Sequence, residues 1–110
     1  MSTPILEIAM LQVRAGQEAE FERAFAQASA IIASMGGYLG HTLQRCLEVQ
    51  GRYALLVQWQ TLEDHTVGFR QSAEYQAWRS LLHHFYEPMP TVEHFETIPL
   101  GAAKPLFAAH

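Results

Sequence analysis

The first predicted strand most constrains what this chain can fold into, because it is apolar on both sides. Residues 5–13 alternate between two sets of side chains, and both sets are hydrophobic, with Glu7 as the exception. Successive side chains of a strand point to opposite faces of its sheet, so this strand has to be covered on both faces. The fold therefore needs two covering layers.

The chain is too short to supply both layers by itself. It has 110 residues, the size of one domain, yet 49% of them are hydrophobic and only 16% are charged. A domain of this length buries roughly 65% of the surface that its unfolded chain exposes. The composition therefore predicts a single domain that gains further burial from a partner.

Two helical regions are predicted from apolar side chains at helical spacing. The first runs from about Phe21 to Met35 and would end at the glycine pair that follows, since glycine accepts the positive φ of a helix C-cap. The second is a helix pair. Thr61 and Asp64 form a capping-box pattern ahead of a short helix, and Ser72 is the predicted N-cap of a longer one.

Three further strands complete the predicted fold. Residues 38–48 and 53–60 form an antiparallel hairpin, and residues 91–98 form the last strand. This element order predicts a ferredoxin-like α+β protomer, β-α-β-β-α-α-β, with an antiparallel four-stranded sheet and its helices on one face. The predicted domain spans residues 4–98. Residues 99–110 form a C-terminal tail that is either frayed or packed on a partner subunit.

The other face of such a sheet has no cover from its own chain. If it carried about eight apolar side chains, leaving them in water would cost roughly 10–15 kcal/mol as an upper bound. We therefore expect a homodimer in which two sheets pack face to face.

Charge and cysteine content argue against several other partners. Seven Lys and Arg against eleven Asp and Glu give a net charge of −4 without charge runs, which disfavours nucleic acid and anionic membranes. The sequence shows neither a membrane-span pattern nor a secretory-signal pattern. Cys46 has no second cysteine to pair with, so a cytoplasmic location is expected.

The second half of the chain carries a family pattern. It consists of Trp-Gln-Thr-Leu-Glu-Asp-His at 59–65, Gly-Phe-Arg-Gln-Ser at 68–72, Tyr75, Trp78-Arg79 and Pro-Thr-Val-Glu-His-Phe at 90–95. With the first strand and the Glu20-Phe21 pair, these segments resemble the antibiotic biosynthesis monooxygenase family over about residues 5–98. The resemblance implies a ferredoxin-like protomer in a dimeric α/β barrel.

The resemblance also implies an activity. Some members of the family are cofactor-independent oxygenases that convert polyketide-type phenols into quinones, with the deprotonated substrate supplying electrons to dioxygen. Such a site needs a dry pocket, a proton acceptor and aromatic walls. The expected function is a monooxygenase for an aromatic or polyketide-like small molecule. The alternative is a non-catalytic module that binds a small aromatic ligand on the same barrel.

The haem-degrading branch of the family fits this sequence less well. That branch has Asn in the first strand, Trp in the first short helix and an axial His in the next helix. The corresponding positions here are Ala9, Gly68 or Phe69, and Trp78, and all of them depart from the pattern. Without the axial imidazole, haem binding is disfavoured. No cofactor is therefore expected.

Histidines and aromatic residues are the candidate site residues. His94 and His65 are the candidate catalytic residues, because an imidazole titrates near neutral pH and can accept the proton of a phenol. A structural role in the sheet or on the helix surface is the alternative for each. The candidate substrate-binding residues are Trp59, Phe69, Trp78, Phe85 and His41. Core packing is the alternative for the four aromatic residues, and His41 could share a sheet face with His94.

Two other polar positions have competing interpretations. Arg45 alternates with leucines, an inward position that a charge takes only with a partner, either an acid such as Glu7 or an anionic ligand. His94 and Glu96 point to one strand face and could be two metal ligands. The sequence shows no third ligand, so no metal site is expected.

We predict that the protein sediments as a homodimer at low micromolar concentration, because a single chain would leave its second apolar sheet face in water. Analytical ultracentrifugation measures this directly. Detection of the monomer alone would contradict the sheet-on-sheet dimer.

Overall fold

The computed structural model describes residues 3–102 together with Lys104 and Leu106. Its elements are β1 (Ile5–Gln12), α1 (Glu18–Ala33), β2 (Tyr38–Arg45), β3 (Arg52–Trp59), a π-helical turn (Asp64–Phe69), α2 (Ala73–Leu82), a 3-10 turn (His83–Phe85) and β4 (Thr91–Glu96). The strands form one four-stranded antiparallel sheet in the order β2-β3-β1-β4. The predicted ferredoxin-like α+β fold and its element order are confirmed.

The core lies between one face of the sheet and the helices. β1 and β3 are the two central strands, and their inward side chains are almost fully buried. Phe21 of α1 is a centre of this core, with its ring 4.9 Å from that of Tyr53 and 5.7 Å from that of Phe25. α2 adds Trp78 and Leu82 to the same layer. The alternation seen in the sequence of β1 and β3 therefore corresponds to one deeply buried face.

The second face of the sheet is also apolar, but it remains half-buried or exposed. Met10 of β1 is 45% exposed, and Phe95 of β4 is 46% exposed. The register places the following apolar side chains on this face: Leu6, Ile8, Met10, Ala54, Leu56 and Phe95. Gln58 and Glu93 interrupt the set, so the face is less apolar than the sequence estimate assumed. The two-sided strand is confirmed, and the dimer stays a prediction.

The tail is exposed wherever it is described. Leu100 is 71% exposed and Leu106 is 94% exposed. Residues 103, 105 and 107–110 lie outside the described part of the chain, so packing of the tail on a partner stays a prediction. Within the described residues, no helix is both long enough and apolar enough to cross a membrane.

The short helix after Thr61 begins as predicted but has an unexpected pitch. The Asp64 N–H donates to Thr61 Oγ1, and the Thr61 N–H donates to Asp64 Oδ2, each at 3.1 Å, so the capping box is confirmed. The Arg70 N–H then bonds the carbonyl of His65, five residues back, at 3.1 Å. This wider turn places both His65 and Phe69 inward. Single π turns of this kind occur frequently at functional sites.

Ser72 caps α2 as the sequence predicts. Its Oγ accepts a hydrogen bond of 3.1 Å from the Tyr75 N–H. We expect Ser72→Ala to lower the free energy of unfolding by about 1 kcal/mol, because an N–H of the first helical turn loses its partner. Urea denaturation measures the difference. Ser80→Ala, at an exposed position of the same helix, is the matched control and should be neutral or slightly stabilising. Equal losses in both variants would show that the cap contributes nothing specific.

Candidate active site

A cavity of about 290 Å³ lies between the buried face of the sheet and α2. Most of its wall is apolar and comes from β1, β3, β4, the loop before β4 and the helical side: Ala9, Leu11, Leu55, Phe69, Trp78, Met89, Pro90 and Val92. A few polar side chains also line it, namely Glu7, His65, Arg70, Tyr75, His83 and Tyr86. A largely apolar cavity with a few convergent polar groups is the usual form of a small-molecule site.

Glu7 places a buried carboxyl group on the wall of this cavity. The residue is 5% exposed and sits in the middle of the central strand β1. Its Oε1 accepts a hydrogen bond of 3.0 Å from Trp59 Nε1–H. Burial raises the pKa of Glu7, and the Trp59 hydrogen bond and the charge of Arg70 oppose that rise. A carboxyl group that is easier to protonate than usual therefore faces the cavity.

His65 joins Glu7 to His94. Its Nε2 lies 3.4 Å from Glu7 Oε1, and its Nδ1 lies 2.8 Å from His94 Nε2. The imidazole also stacks on the indole of Trp59, with ring centroids 5.5 Å apart. Burial is the main cause that lowers the pKa of His65 to about 3, with smaller contributions from the charges of Arg70 and His94. His65 is therefore neutral at physiological pH, and its contact with Glu7 does not depend on an imidazolium charge.

His94 is the outer member of this group. The register of β4 on β1 pairs it directly with Glu7, and its side chain is half-buried on an edge strand. Burial first, and then the charge of Arg70, lower the pKa of His94. We call the three residues the Glu7–His65–His94 chain. It runs from the cavity wall to the edge of the sheet.

The structure brings most of the predicted site residues to one place. His65, Phe69 and Trp78 line the cavity. Trp59 lies immediately behind the wall, where it holds Glu7 and stacks on His65. His94 reaches the site through His65, since its ring contacts that imidazole at a centroid distance of 5.1 Å. The catalytic roles of His65 and His94 stay predictions.

The structure does not bring Phe85 or His41 to the cavity. Phe85 packs in the core against Phe21, with ring centroids 5.7 Å apart. His41 accepts or donates a 2.9 Å hydrogen bond between Nε2 and Ser29 Oγ, and its Nδ1 bonds the hydroxyl of Tyr38. Although His41 faces the same side of the sheet as His94, two central strands separate them. His41 thus links β2 to α1.

Arg45 pairs with a different acid from the one considered in the sequence. Its Nη2 lies 2.7 Å from Glu22 Oε1 at a solvent-exposed edge, and the hydroxyl of Tyr53 donates to Glu22 Oε2 at 2.6 Å. These bonds lower the pKa of Glu22. Glu7, the acid considered as a partner for Arg45, contacts Trp59 and His65 instead.

Sequence reasoning missed Glu7 and Arg70 as site residues. The available signal for Glu7 was a single acidic residue on an otherwise apolar strand face, and a buried acid requires polar partners. Arg70 follows the π-helical turn, and no sequence pattern indicates that it lines the cavity. Within residues 3–102 and the two described tail positions, no group of three or more acidic, cysteine or histidine residues could hold a metal ion.

Comparison with known proteins places the chain in a family. The family model for antibiotic biosynthesis monooxygenase matches residues 4–81. The uncharacterized protein YczJ of Bacillus subtilis is 56% identical over 94 residues, which span 86% of this chain and 99% of that protein. The chain therefore belongs to the antibiotic biosynthesis monooxygenase family, and the resemblance seen in its sequence is confirmed.

Solved structures share the fold. A candidate antibiotic biosynthesis monooxygenase from Bordetella bronchiseptica is 39% identical, with a TM-score of 0.85, over 88% of this chain and 99% of that one. SnoaB from Streptomyces nogalater, a cofactor-independent oxygenase, is 22% identical, with a TM-score of 0.69, over 96% and 98% of the two chains. At that identity, the likeness to SnoaB shows the fold alone.

We expect His65 to make the protein sensitive to acid. Because the pKa of His65 is about 3 in the folded state and 6.5 ordinarily, the unfolded chain binds a proton in that interval that the folded chain does not. The free energy of unfolding should therefore fall as the pH decreases through this interval, by up to about 1.4 kcal/mol per pH unit from this group. Denaturant unfolding of wild type and His65→Gln across the interval measures the contribution as a difference.

Glu7, whose raised pKa gives the opposite slope above its ordinary value, and His94, whose lowered pKa gives a slope of the same sign, are present in both proteins, so the difference reports the loss of His65 together with its contacts to them. Gln76→Ala, at an exposed position of α2, replaces a side chain that does not titrate; it is the control and should follow the wild-type pH profile. Parallel pH profiles for wild type and His65→Gln would contradict the neutral, buried state of His65.

Proposed function

We propose that the protein is a cofactor-independent monooxygenase that oxidises an aromatic or polyketide-like small molecule with dioxygen. The observation that carries this proposal is the apolar cavity with the buried Glu7–His65–His94 chain on its wall. Family membership supports it, as does the fold shared with SnoaB, a cofactor-independent oxygenase. The site offers a largely apolar space and ionisable groups beside it, which suit chemistry that starts with the removal of one proton.

The walls of the cavity favour an aromatic ligand. The rings of Phe69 and Trp78 meet edge to face with centroids 5.6 Å apart, and both line the cavity. An inserted ring can pack against both, since aromatic pairs favour offset and edge-to-face contacts. At about 290 Å³ the cavity is close to the lower end of the range for ligand sites. It therefore suits a compact ligand or one part of a larger one.

The proposed reaction converts a phenol to a quinone. The phenol and one dioxygen yield the quinone and one water, so one oxygen atom enters the product and the other leaves as water. The phenol must first lose its proton, because the phenolate donates electrons to dioxygen more readily. Arg70 at the cavity wall favours this anion through its positive charge. His65 and His94 keep their predicted part in handling the proton.

We also propose that the active unit is a homodimer in a dimeric α/β barrel. The apolar residues of the second sheet face support it, with Met10 and Phe95 each close to half exposed in a single chain. A second copy of the chain, packed through the same face, would cover the apolar side chains of both sheets. A cytoplasmic location, without nucleic-acid or membrane partners, belongs to the same proposal.

The direct test is oxygen uptake with a panel of hydroxylated polycyclic phenols. We expect at least one phenol to raise the melting temperature and to be consumed with dioxygen in equal amounts, with quinone appearing in the absorbance spectrum. A phenol that stabilises the protein without oxygen uptake would instead identify the non-catalytic binding module. If no phenol either stabilises the protein or is consumed with dioxygen, the proposal is wrong for this substrate class.

Two valine variants show whether the cavity is the site. Val92 lines the cavity, and Val92→Phe should fill part of it and lower both oxygen uptake and ligand-induced stabilisation roughly tenfold or more. Val67→Phe is the matched control, because Val67 is 49% exposed and does not line the cavity. Equal activity in both variants would place the reaction elsewhere on the protein.

A further inference from the structure

We propose that Glu7 is the acid–base group that exchanges a proton with the ligand in the cavity, and that His65 and His94 carry this proton to and from solvent. The inference rests on the proposed function for the identity of the ligand, a phenol. It changes the assignment made from the sequence, in which the two histidines themselves act on the substrate. In the structure, the Glu7 carboxyl lines the cavity itself, whereas His94 reaches it only through His65.

The contacts of the Glu7 carboxyl leave one oxygen for a ligand. Trp59 Nε1 and His65 Nε2 both approach Oε1, at 3.0 and 3.4 Å. Oε2 is then the oxygen available to a hydroxyl group bound in the cavity. The 3.4 Å contact is long for a hydrogen bond, and catalytic contacts of this kind often shorten when a ligand binds.

The chain can hold its protons in two arrangements. In one, the Glu7 carboxylate accepts from His65 Nε2–H while His65 Nδ1 accepts from His94 Nε2–H. In the other, protonated Glu7 donates to His65 Nε2, and His65 Nδ1–H donates to His94 Nε2. A neutral imidazole has a single N–H, so the two contacts of His65 have to reverse together. The two arrangements differ by one proton, which is what a relay requires.

The transfer balances in protons and charge. The phenol gives its proton to Oε2 as the Oε1 proton passes to His65 Nε2. His65 Nδ1–H passes to His94 Nε2, and His94 Nδ1–H is released to water. The ligand becomes a phenolate, one proton reaches the solvent, and no residue changes its net charge. When dioxygen has been reduced, the reverse transfer returns a proton for the water that leaves.

The position of each residue suits its step. Glu7 lines the cavity, His65 is 3% exposed between its two neighbours, and His94 lies half-buried on an edge strand. His65 is thus a transfer and positioning residue that does not need to become an imidazolium. Trp59 of β3 contacts the chain directly, and the other polar groups that line the same cavity are Arg70 after the π-helical turn, Tyr75 of α2, His83 and Tyr86. Of these, Arg70 carries the charge that acts on all three members of the chain.

The first test reads the proton arrangement without any ligand. Protein labelled with ¹⁵N in histidine shows by NMR which ring nitrogen of His65 carries the proton. We expect the His65 tautomer to change with pH at the same midpoint as the protonation of the Glu7 carboxyl. Infrared spectroscopy measures the protonation of the carboxyl. Glu7→Gln should hold His65 in one tautomer throughout. Glu20→Gln, at an exposed position of α1, is the control and should behave as wild type.

A tautomer of His65 that does not change while the carboxyl titrates would overturn the relay. A pH-dependent change of the His65 tautomer that persists in Glu7→Gln would also overturn it. If Glu7→Gln does not fold, His94→Leu provides the second variant, because loss of the outer hydrogen-bond partner should separate the midpoints of carboxyl and tautomer. Coinciding midpoints in His94→Leu would overturn the part assigned to His94.

The second test uses a phenol that wild type oxidises. We expect Glu7→Gln to lower kcat by about 100-fold or more with little change in KM, because the proton acceptor is lost while the walls remain. Wild-type kcat in Glu7→Gln would overturn the relay and leave the monooxygenase proposal intact. If the His65 tautomer changes with the Glu7 carboxyl but no phenol is oxidised, the relay stands and the monooxygenase proposal is wrong. The two proposals therefore fail separately.

Discussion

The burial of the Glu7 carboxyl is the constraint on which the rest of the site depends. A carboxyl group in the middle of a central strand loses its hydration, which is costly unless protein groups replace the water. Trp59 from β3 donates a hydrogen bond to the carboxyl, and His65 from the π-helical turn lies 3.4 Å from the same oxygen. Both contacts form only when β1 has this register on β3 and the turn after β3 has this pitch. A one-residue slip of β1 would turn Glu7 to the other sheet face and leave both partners behind.

The same burial gives the cavity its chemical character. The carboxyl, the two imidazoles and the charge of Arg70 lie beside apolar walls, where the local dielectric constant is low and electrostatic effects are larger than in water. This explains the raised pKa of Glu7 and the lowered pKa values of His65 and His94. A carboxyl group that is easier to protonate than usual and a positive charge therefore lie around one apolar space.

Local interactions were the most predictable from sequence. The Thr61–Asp64 capping box and the Ser72 cap involve partners within three residues, and both are present. Periodicity also placed Phe69 and Trp78 inward, and both line the cavity. The same reasoning included Phe85, which packs against Phe21 instead, because a helical stripe shows that a side chain is buried but not which space it enters. Arg45 illustrates the same limit for charges, since its partner Glu22 lies on another element.

By itself, the sequence determined the element order, the α+β class, the family pattern and the two-sided apolar strand at the centre of the sheet. These follow from side-chain spacing along the chain, which the backbone converts directly into faces. Only the tertiary structure decided that Glu7, His65 and His94 form one connected chain and that His41 lies apart from it. The reason is physical: these contacts depend on strand register and on one π-helical turn, and neither is encoded in the spacing of neighbouring residues.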